Sequence, residues 1–295
     1  MEDSALDMKK AVERGDKISF SQIEPMLLES ELVKRLTSPV KPPNSFHTLR
    51  GLEWRLIEIS EIPYTHTLPQ VQKWIPLFVE KTYTGNAFSL RNGDNGVLAC
   101  HNAMITALLM KLEHDDFEKI KTGIDWILQY QSIDRATECT WKGNDLYEKF
   151  GGCMKKVPCF YGVVKSMIAL TEYKKRQKTS KEIDEKLTAG LEYILSHEVY
   201  KTRTTQKPIE PSIVQNFYPY SYKSNLIEIL GLLKINGKLE DSRCKDAIEM
   251  LKTTRGKDGM FHADVVHMKS AWIEFDPLKK PGPWISYEIE KLLNF

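Results

Sequence analysis

The chain alternates segments that are apolar on almost every side with segments that are apolar on one face only. Residues 97–110 are the clearest segment of the first kind. Residues 117–131 are of the second kind, with Ile120, Ile124 and Ile127 on one helical face. A helix that is apolar all round is buried, whereas an amphipathic helix covers a core. Strand-like runs of alternating polarity do not occur. The pattern therefore predicts an all-α protein with inner and outer helix layers.

Turns rich in Gly, Asp and Asn follow the amphipathic segments. Two of these turns contain Asp94 and Asp134, which lie 40 residues apart. A period of that length is typical of arrays of helix pairs. We expect one such array over residues 39–295, beginning at a Pro-rich stretch that breaks the preceding helix pattern. Residues 1–38 are expected to form an N-terminal helical arm that braces it, with residues 1–20 as a marginal helix or a loose segment and one short helix over 23–36.

Charge and composition exclude several classes of protein. The 42 basic residues nearly balance the 40 acidic ones, so no strong field attracts nucleic acid. No stretch of about 18 apolar residues is present, which argues against a membrane span. The first residues are acidic and unlike a signal peptide. Together with an odd number of cysteines, five, this predicts a cytoplasmic protein with reduced thiols.

The turns between helices resemble a motif of the terpenoid cyclase and protein prenyltransferase superfamily. Members carry Gln-x-x-Asp-Gly-x-Trp between outer and inner helices. Residues 131–134, Gln-Ser-Ile-Asp, keep the Gln and Asp of this motif, and residues 258–261, Asp-Gly-Met-Phe, keep Asp-Gly and replace Trp by Phe. Residues 94–97, Asp-Asn-Gly-Val, match less well.

The layout from about residue 39 onwards more closely resembles short, single-domain prenyltransferase-like or squalene-cyclase-like proteins of unassigned activity. The matching stretches are Gly152-Cys153, residues 159–165, Phe217-Tyr218-Pro219 and Pro283-Trp284-Ile285. The resemblance implies an α/α toroid of about five helix pairs. It does not carry over a catalytic motif, because Asp-x-Asp-Asp of the cyclases and Asp-x-Cys of the prenyltransferases are absent from the sequence.

In such a toroid the inner helices begin at one mouth, where residues distant in sequence meet. We expect ligand-binding residues there, namely His47, Tyr161, Tyr220, Tyr222 and Trp284. The alternative for these aromatic side chains is that they fill a small ring. Candidates for acid–base catalysis are His101, Asp134 and Asp258, although the two aspartates also fit turn capping.

A zinc site is the second hypothesis for this mouth. Its ligands would be Cys139, Cys153 and Cys159, with Cys100, His101 or His262 as the fourth. Helix N-termini are also expected to lower the pKa of a thiol there. The alternative is that the cysteines are buried and reduced, since a free cysteine packs as a small hydrophobe.

Two functions follow from these expectations. In the first, the protein is terpene-cyclase-like or prenyltransferase-like and acts on, or binds, an apolar, isoprenoid-like ligand in the central cavity. In the second, it is a non-catalytic scaffold that holds a protein or peptide at the mouth of the ring. A wide lumen with an unpaired acid or an open metal position favours the enzyme, and a lumen filled by Trp and Tyr favours the scaffold.

Overall fold

The computed structural model describes residues 3–91, 93–134, 141, 158–177, 180–266 and 272–293. Twelve α-helices run through these residues, and no strand occurs among them beyond isolated bridges such as Tyr83 with Phe88. The prediction of an all-α fold is confirmed. Within the described ranges, none of the helices combines the length and the apolar character needed to cross a lipid bilayer.

The helices are numbered here in chain order. The N-terminal region holds α1 (Ser4–Arg14), α2 (Phe20–Glu29) and α3 (Glu31–Leu36). The rest of the chain holds α4 (Phe46–Ser60), α5 (Pro69–Thr82), α6 (Ala99–Lys111), α7 (Phe117–Tyr130), α8 (Phe160–Arg176), α9 (Lys181–Leu195), α10 (Leu226–Ile235), α11 (Lys245–Thr253) and α12 (Pro283–Leu293).

Local capping chemistry sets where these helices begin. The Asp116 carboxylate accepts a hydrogen bond from the Lys119 amide at 3.2 Å and starts α7. The Asn225 side chain does the same for the Glu228 amide and starts α10. Each cap satisfies an amide that has no partner within its helix. Proline at the first position starts α5, where a missing N–H costs nothing.

Burial and contacts follow the predicted alternation. Ten of the 13 residues of α6 are buried, but only five of the 14 residues of α7. Each even-numbered helix from α4 to α10 contacts the next even-numbered one, and α5, α7, α9 and α11 each pack on the helix before them. The two layers approach closely at Gly123 of α7, where an added Cβ would lie 2.1 Å from the Thr106 hydroxyl of α6.

The N-terminal region differs from the sequence-based expectation in two ways. The single helix expected over residues 23–36 is two helices, because Ser30 is extended and its hydroxyl caps α3 by accepting from the Val33 amide. Residues 4–14 are not a loose segment, since Ala5, Leu6 and Met8 of α1 are fully buried. The Lys9 ammonium of α1 contacts Glu288 of α12 and the Glu61 carbonyl beyond α4. The closed α/α toroid stays a prediction.

Candidate functional site: a cleft between α6, α8, α10 and α12

Helical spacing brings a set of side chains from three helices onto facing surfaces. On α6 they are Met104, Ala107, Leu108 and Lys111, which repeat every three or four residues and so share one face. On α8 the corresponding residues begin at Lys165 and Ile168 and end at Glu172, and on α10 they lie between Ile227 and Ile235. These faces form the walls of two adjoining cavities.

The larger cavity, which we name the cleft, has a volume of about 560 Å³. Its apolar wall consists of aliphatic side chains from α8, α10 and α12, namely Ile168, Ile227, Leu232, Ile235 and Leu292. The smaller cavity, which we name the chamber, has about 50 Å³. The two adjoin, because both are lined by Lys111, Ile168, Tyr220 and Glu228. The chamber is thus a polar end of this space beside the aliphatic wall, and further charged side chains line the rest of the cleft.

Two ion pairs lie at this polar end. The Lys165 ammonium donates to both carboxylate oxygens of Glu228, at 2.6 and 2.7 Å, and its side chain is only 4% exposed. The Lys111 ammonium donates to the Glu61 carboxylate at 2.7 Å, and the Tyr218 hydroxyl donates to the same carboxylate at 3.0 Å. Each charge in these pairs therefore has a partner.

Burial and charge act in opposite directions on these groups. Burial lowers the pKa of Lys165, and the Glu228 carboxylate offsets only part of the effect. Burial also opposes ionisation of Lys111 and Glu61, but their mutual attraction prevails. It raises the pKa of Lys111 and lowers the pKa of Glu61 to about 2. Both members of that pair are consequently charged at neutral pH.

Helix α1 brings a third group of charges to the rim of the cleft. Glu13 accepts from the Lys291 ammonium at 2.9 Å and from the Tyr287 hydroxyl at 2.7 Å, both on α12. Lys9 lies 3.0 Å from Glu13 and 3.3 Å from Glu288. Burial opposes the charge on Lys9, but the surrounding carboxylates raise its pKa above the usual value. The rim is therefore a network of paired charges and not a single-sign patch.

The predicted residues at the helix starts form a separate group. His101 Nδ1 lies 2.8 Å from the Oε1 atom of Glu53, whose side chain is fully buried. Cys100 and Cys159 interact electrostatically with each other, and Cys100 also with Glu53. Burial and these two neighbours raise the pKa of the Cys100 thiol to about 12. The expectation that a helix N-terminus would lower the pKa of this thiol is therefore wrong, because burial outweighs the helix dipole.

The predicted metal ligands are only partly described. Cys139 and Cys153 lie outside the described residues. Within those residues, no group of three or more His, Cys, Asp or Glu side chains is arranged to hold a metal ion. His262 belongs to a turn, where its Nε2 atom lies 2.8 Å from the Asp258 carboxylate. The zinc hypothesis stays a prediction.

The predicted ligand-binding residues have different neighbours. Tyr220 lines both the cleft and the chamber, and the rings of Tyr220 and Trp284 both contact the Tyr218 ring. Tyr161 donates to Glu210 at 2.9 Å, and Tyr222 and Trp284 contact other aromatic rings, those of Trp54 and of Tyr218 with Phe275. His47 is exposed beside the Phe46 ring.

The two predicted catalytic aspartates lie on turns. Asp134 is exposed, and the Ser132 hydroxyl donates to its carbonyl at 3.2 Å. Asp258 is exposed as well, and its carboxylate accepts from the Met260 amide at 3.1 Å. These contacts are of the kind that turn-capping residues make.

Sequence reasoning missed the charged residues of the cleft. Lys165 stands inside the apolar run Val163-Val164-Lys165-Ser166-Met167, and Glu228 inside Leu226-Ile227-Glu228-Ile229-Leu230. A charge inside a run of apolar residues was the available signal, since such a charge is almost never buried without a partner. Which lysine faces which glutamate depends on the tertiary arrangement.

Comparison with known proteins found no relative, because no protein-family model, no curated protein and no solved structure matches the chain.

Proposed function

We propose that the protein binds a small molecule with a long apolar part, of the isoprenoid kind, in the cleft. The observation that supports this most is the cleft itself, whose volume of about 560 Å³ falls within the roughly 300–1,000 Å³ of small-molecule sites. Aliphatic side chains form one wall, two ion pairs lie at the chamber, and further paired charges lie at the rim. Such a distribution suits a ligand that is apolar along its length and polar at a terminus.

The contacts around the cleft also agree with a ring of helices closed by α1. The even-numbered helices α4 to α12 contact one another in succession, and Lys9 bridges the last of them to the residues beyond the first. This arrangement supports the α/α toroid as a proposal. The side chains around the cleft supply groups for binding a ligand and not for catalysing a reaction.

The proposal is tested by a substitution in the lining that fills part of the cleft with a larger side chain. A Cβ added at Gly231 of α10 meets no atom within 4 Å, and Gly231 lines the cleft. The variant Gly231→Leu therefore places an isobutyl group in the ligand's space while improving helix propensity by up to about 1 kcal/mol. Gly51→Leu is the matched control, because Gly51 is also helical, also has no atom within 4 Å of an added Cβ, and is not part of the cleft lining.

Binding of farnesol and farnesyl diphosphate is measured by calorimetry and by the shift in thermal midpoint. We expect at least one compound to bind the native chain and the Gly51→Leu variant equally, and to bind Gly231→Leu about tenfold more weakly or worse. Absence of binding to the native chain would refute the proposal. Equal affinity of the two variants would also refute it, and would favour the scaffold alternative, in which the cleft is not a ligand site.

A further inference from the structure

The chamber limits the size of the group that a ligand can place at the polar end. Its volume of about 50 Å³ suffices for a few water-sized groups, since one water needs roughly 10–15 Å³ on this measure. A hydroxyl or carbonyl oxygen fits with room for a bridging water. A diphosphate, with two phosphorus atoms and their oxygens, is larger than this space.

The charges of the chamber are already paired. Lys165 is held by both oxygens of Glu228, and Lys111 by Glu61. A charged head group would have to displace one member of a pair and leave the other buried without a partner, which is costly. An uncharged polar group can donate to, or accept from, the same atoms while both pairs remain intact.

The lining of the cleft disfavours anions as well. Four carboxylates and three ammonium groups line it. Two of the carboxylates, those of Glu13 and Glu288, already share the Lys291 ammonium at 2.9 and 2.8 Å. A multiply charged anion therefore meets a wall whose formal charge is already negative, and whose cations have partners.

We propose that the ligand of the cleft is an uncharged amphipathic molecule, an alcohol, aldehyde or ketone on a long apolar chain, with its oxygen in the chamber between the Lys165–Glu228 and Lys111–Glu61 pairs. This inference rests on the proposed binding function and specifies the chemical class of the ligand. It excludes diphosphates and carboxylates that carry the same hydrocarbon chain.

The test compares three compounds that have the same hydrocarbon chain and different head groups, namely farnesol, farnesoic acid and farnesyl diphosphate. Calorimetry at neutral pH is expected to give an affinity for farnesol about tenfold or more above those of the two anions, because only they must break an ion pair. Tighter binding of the diphosphate or the acid, or equal binding of all three, would overturn the inference while leaving the binding function in place. If none of the three binds, both proposals fail.

Two variants make the role of the ion pair measurable. Glu228→Gln leaves the Lys165 ammonium without its carboxylate, so the affinity ratio of farnesol to farnesoic acid is expected to fall at least about tenfold. The double variant Lys165→Met, Glu228→Leu removes both charges and keeps an apolar core if the single variant does not fold. It is expected to retain the preference for farnesol. A ratio unchanged in Glu228→Gln, or a preference for the acid in the double variant, contradicts the assignment.

Discussion

At the scale of single residues, Glu58 of α4 is an acid whose ionisation opposes the fold. Its side chain is fully buried, with the Ile273 amide donating to one oxygen and Arg55 Nε lying 3.6 Å from the other. Burial outweighs both contacts and raises the pKa from 4.5 to about 8. Between those two values the folded chain holds a proton that the unfolded chain has lost, so the free energy of unfolding falls as pH rises.

The variant Glu58→Gln removes this titration. We expect the stability of Glu58→Gln relative to the native chain to increase by on the order of 3 kcal/mol between pH 5 and pH 8. Urea unfolding at both pH values, followed by tryptophan fluorescence, measures the difference. The matched control is Glu249→Gln, an exposed acid paired with Lys252 at 2.8 Å, whose difference from the native chain should stay constant. A constant difference for Glu58→Gln would show that Glu58 ionises normally.

At the scale of helices, the close approach of α7 to α6 depends on Gly123. A methyl group there would lie 2.1 Å from the Thr106 hydroxyl and 3.2 Å from the Phe88 ring. Thr106 cannot move away easily, because its hydroxyl donates to the Asn102 carbonyl at 2.7 Å and its side chain is fully buried. We expect Gly123→Ala to lower the free energy of unfolding by about 1–3 kcal/mol.

Its control is Gly51→Ala in α4, where the added methyl meets nothing within 4 Å. This variant should gain about 0.5–1 kcal/mol from helix propensity alone. Denaturant unfolding of the two alanine variants side by side separates propensity from packing. If both gain stability, the two layers are not in contact at Gly123.

The elements were largely predictable because their signals are local. The sequence predicts an amphipathic helix over residues 117–131, and α7 (Phe117–Tyr130) matches it to within a residue. Its cap and apolar period are local to that segment. The lining of the cleft was not predicted, since it depends on how side chains from separate helices face one another. The same limit explains why His101 was singled out but its partner Glu53, 48 positions away, was not.

At the scale of the whole molecule, α1 joins the two ends of the helical array. Leu6 and Met8 are fully buried, and the Lys9 ammonium lies 3.2 Å from the Glu61 carbonyl. The same ammonium lies 3.3 Å from Glu288 of α12, and carboxylates hold its pKa above the usual range. Its contribution to stability is therefore complete at neutral pH and is lost only at strongly alkaline pH.

Replacing Lys9 tests whether that junction holds the array together. In Lys9→Met, the Glu288 carboxylate loses one of its two ammonium partners and keeps Lys291, and the loss of a hydrogen bond to a charged group typically costs about 1.5–3 kcal/mol. We expect a loss of that size in urea unfolding at pH 7, whereas Lys17→Met, at an exposed position in the same region, should change stability by less than about 0.5 kcal/mol. Hydrogen exchange should also show which helices open in the variant: in Lys9→Met, the amides of α1 and α12 should exchange fastest. Equal stability of the two variants would mean that α1 rests on the array without joining its ends.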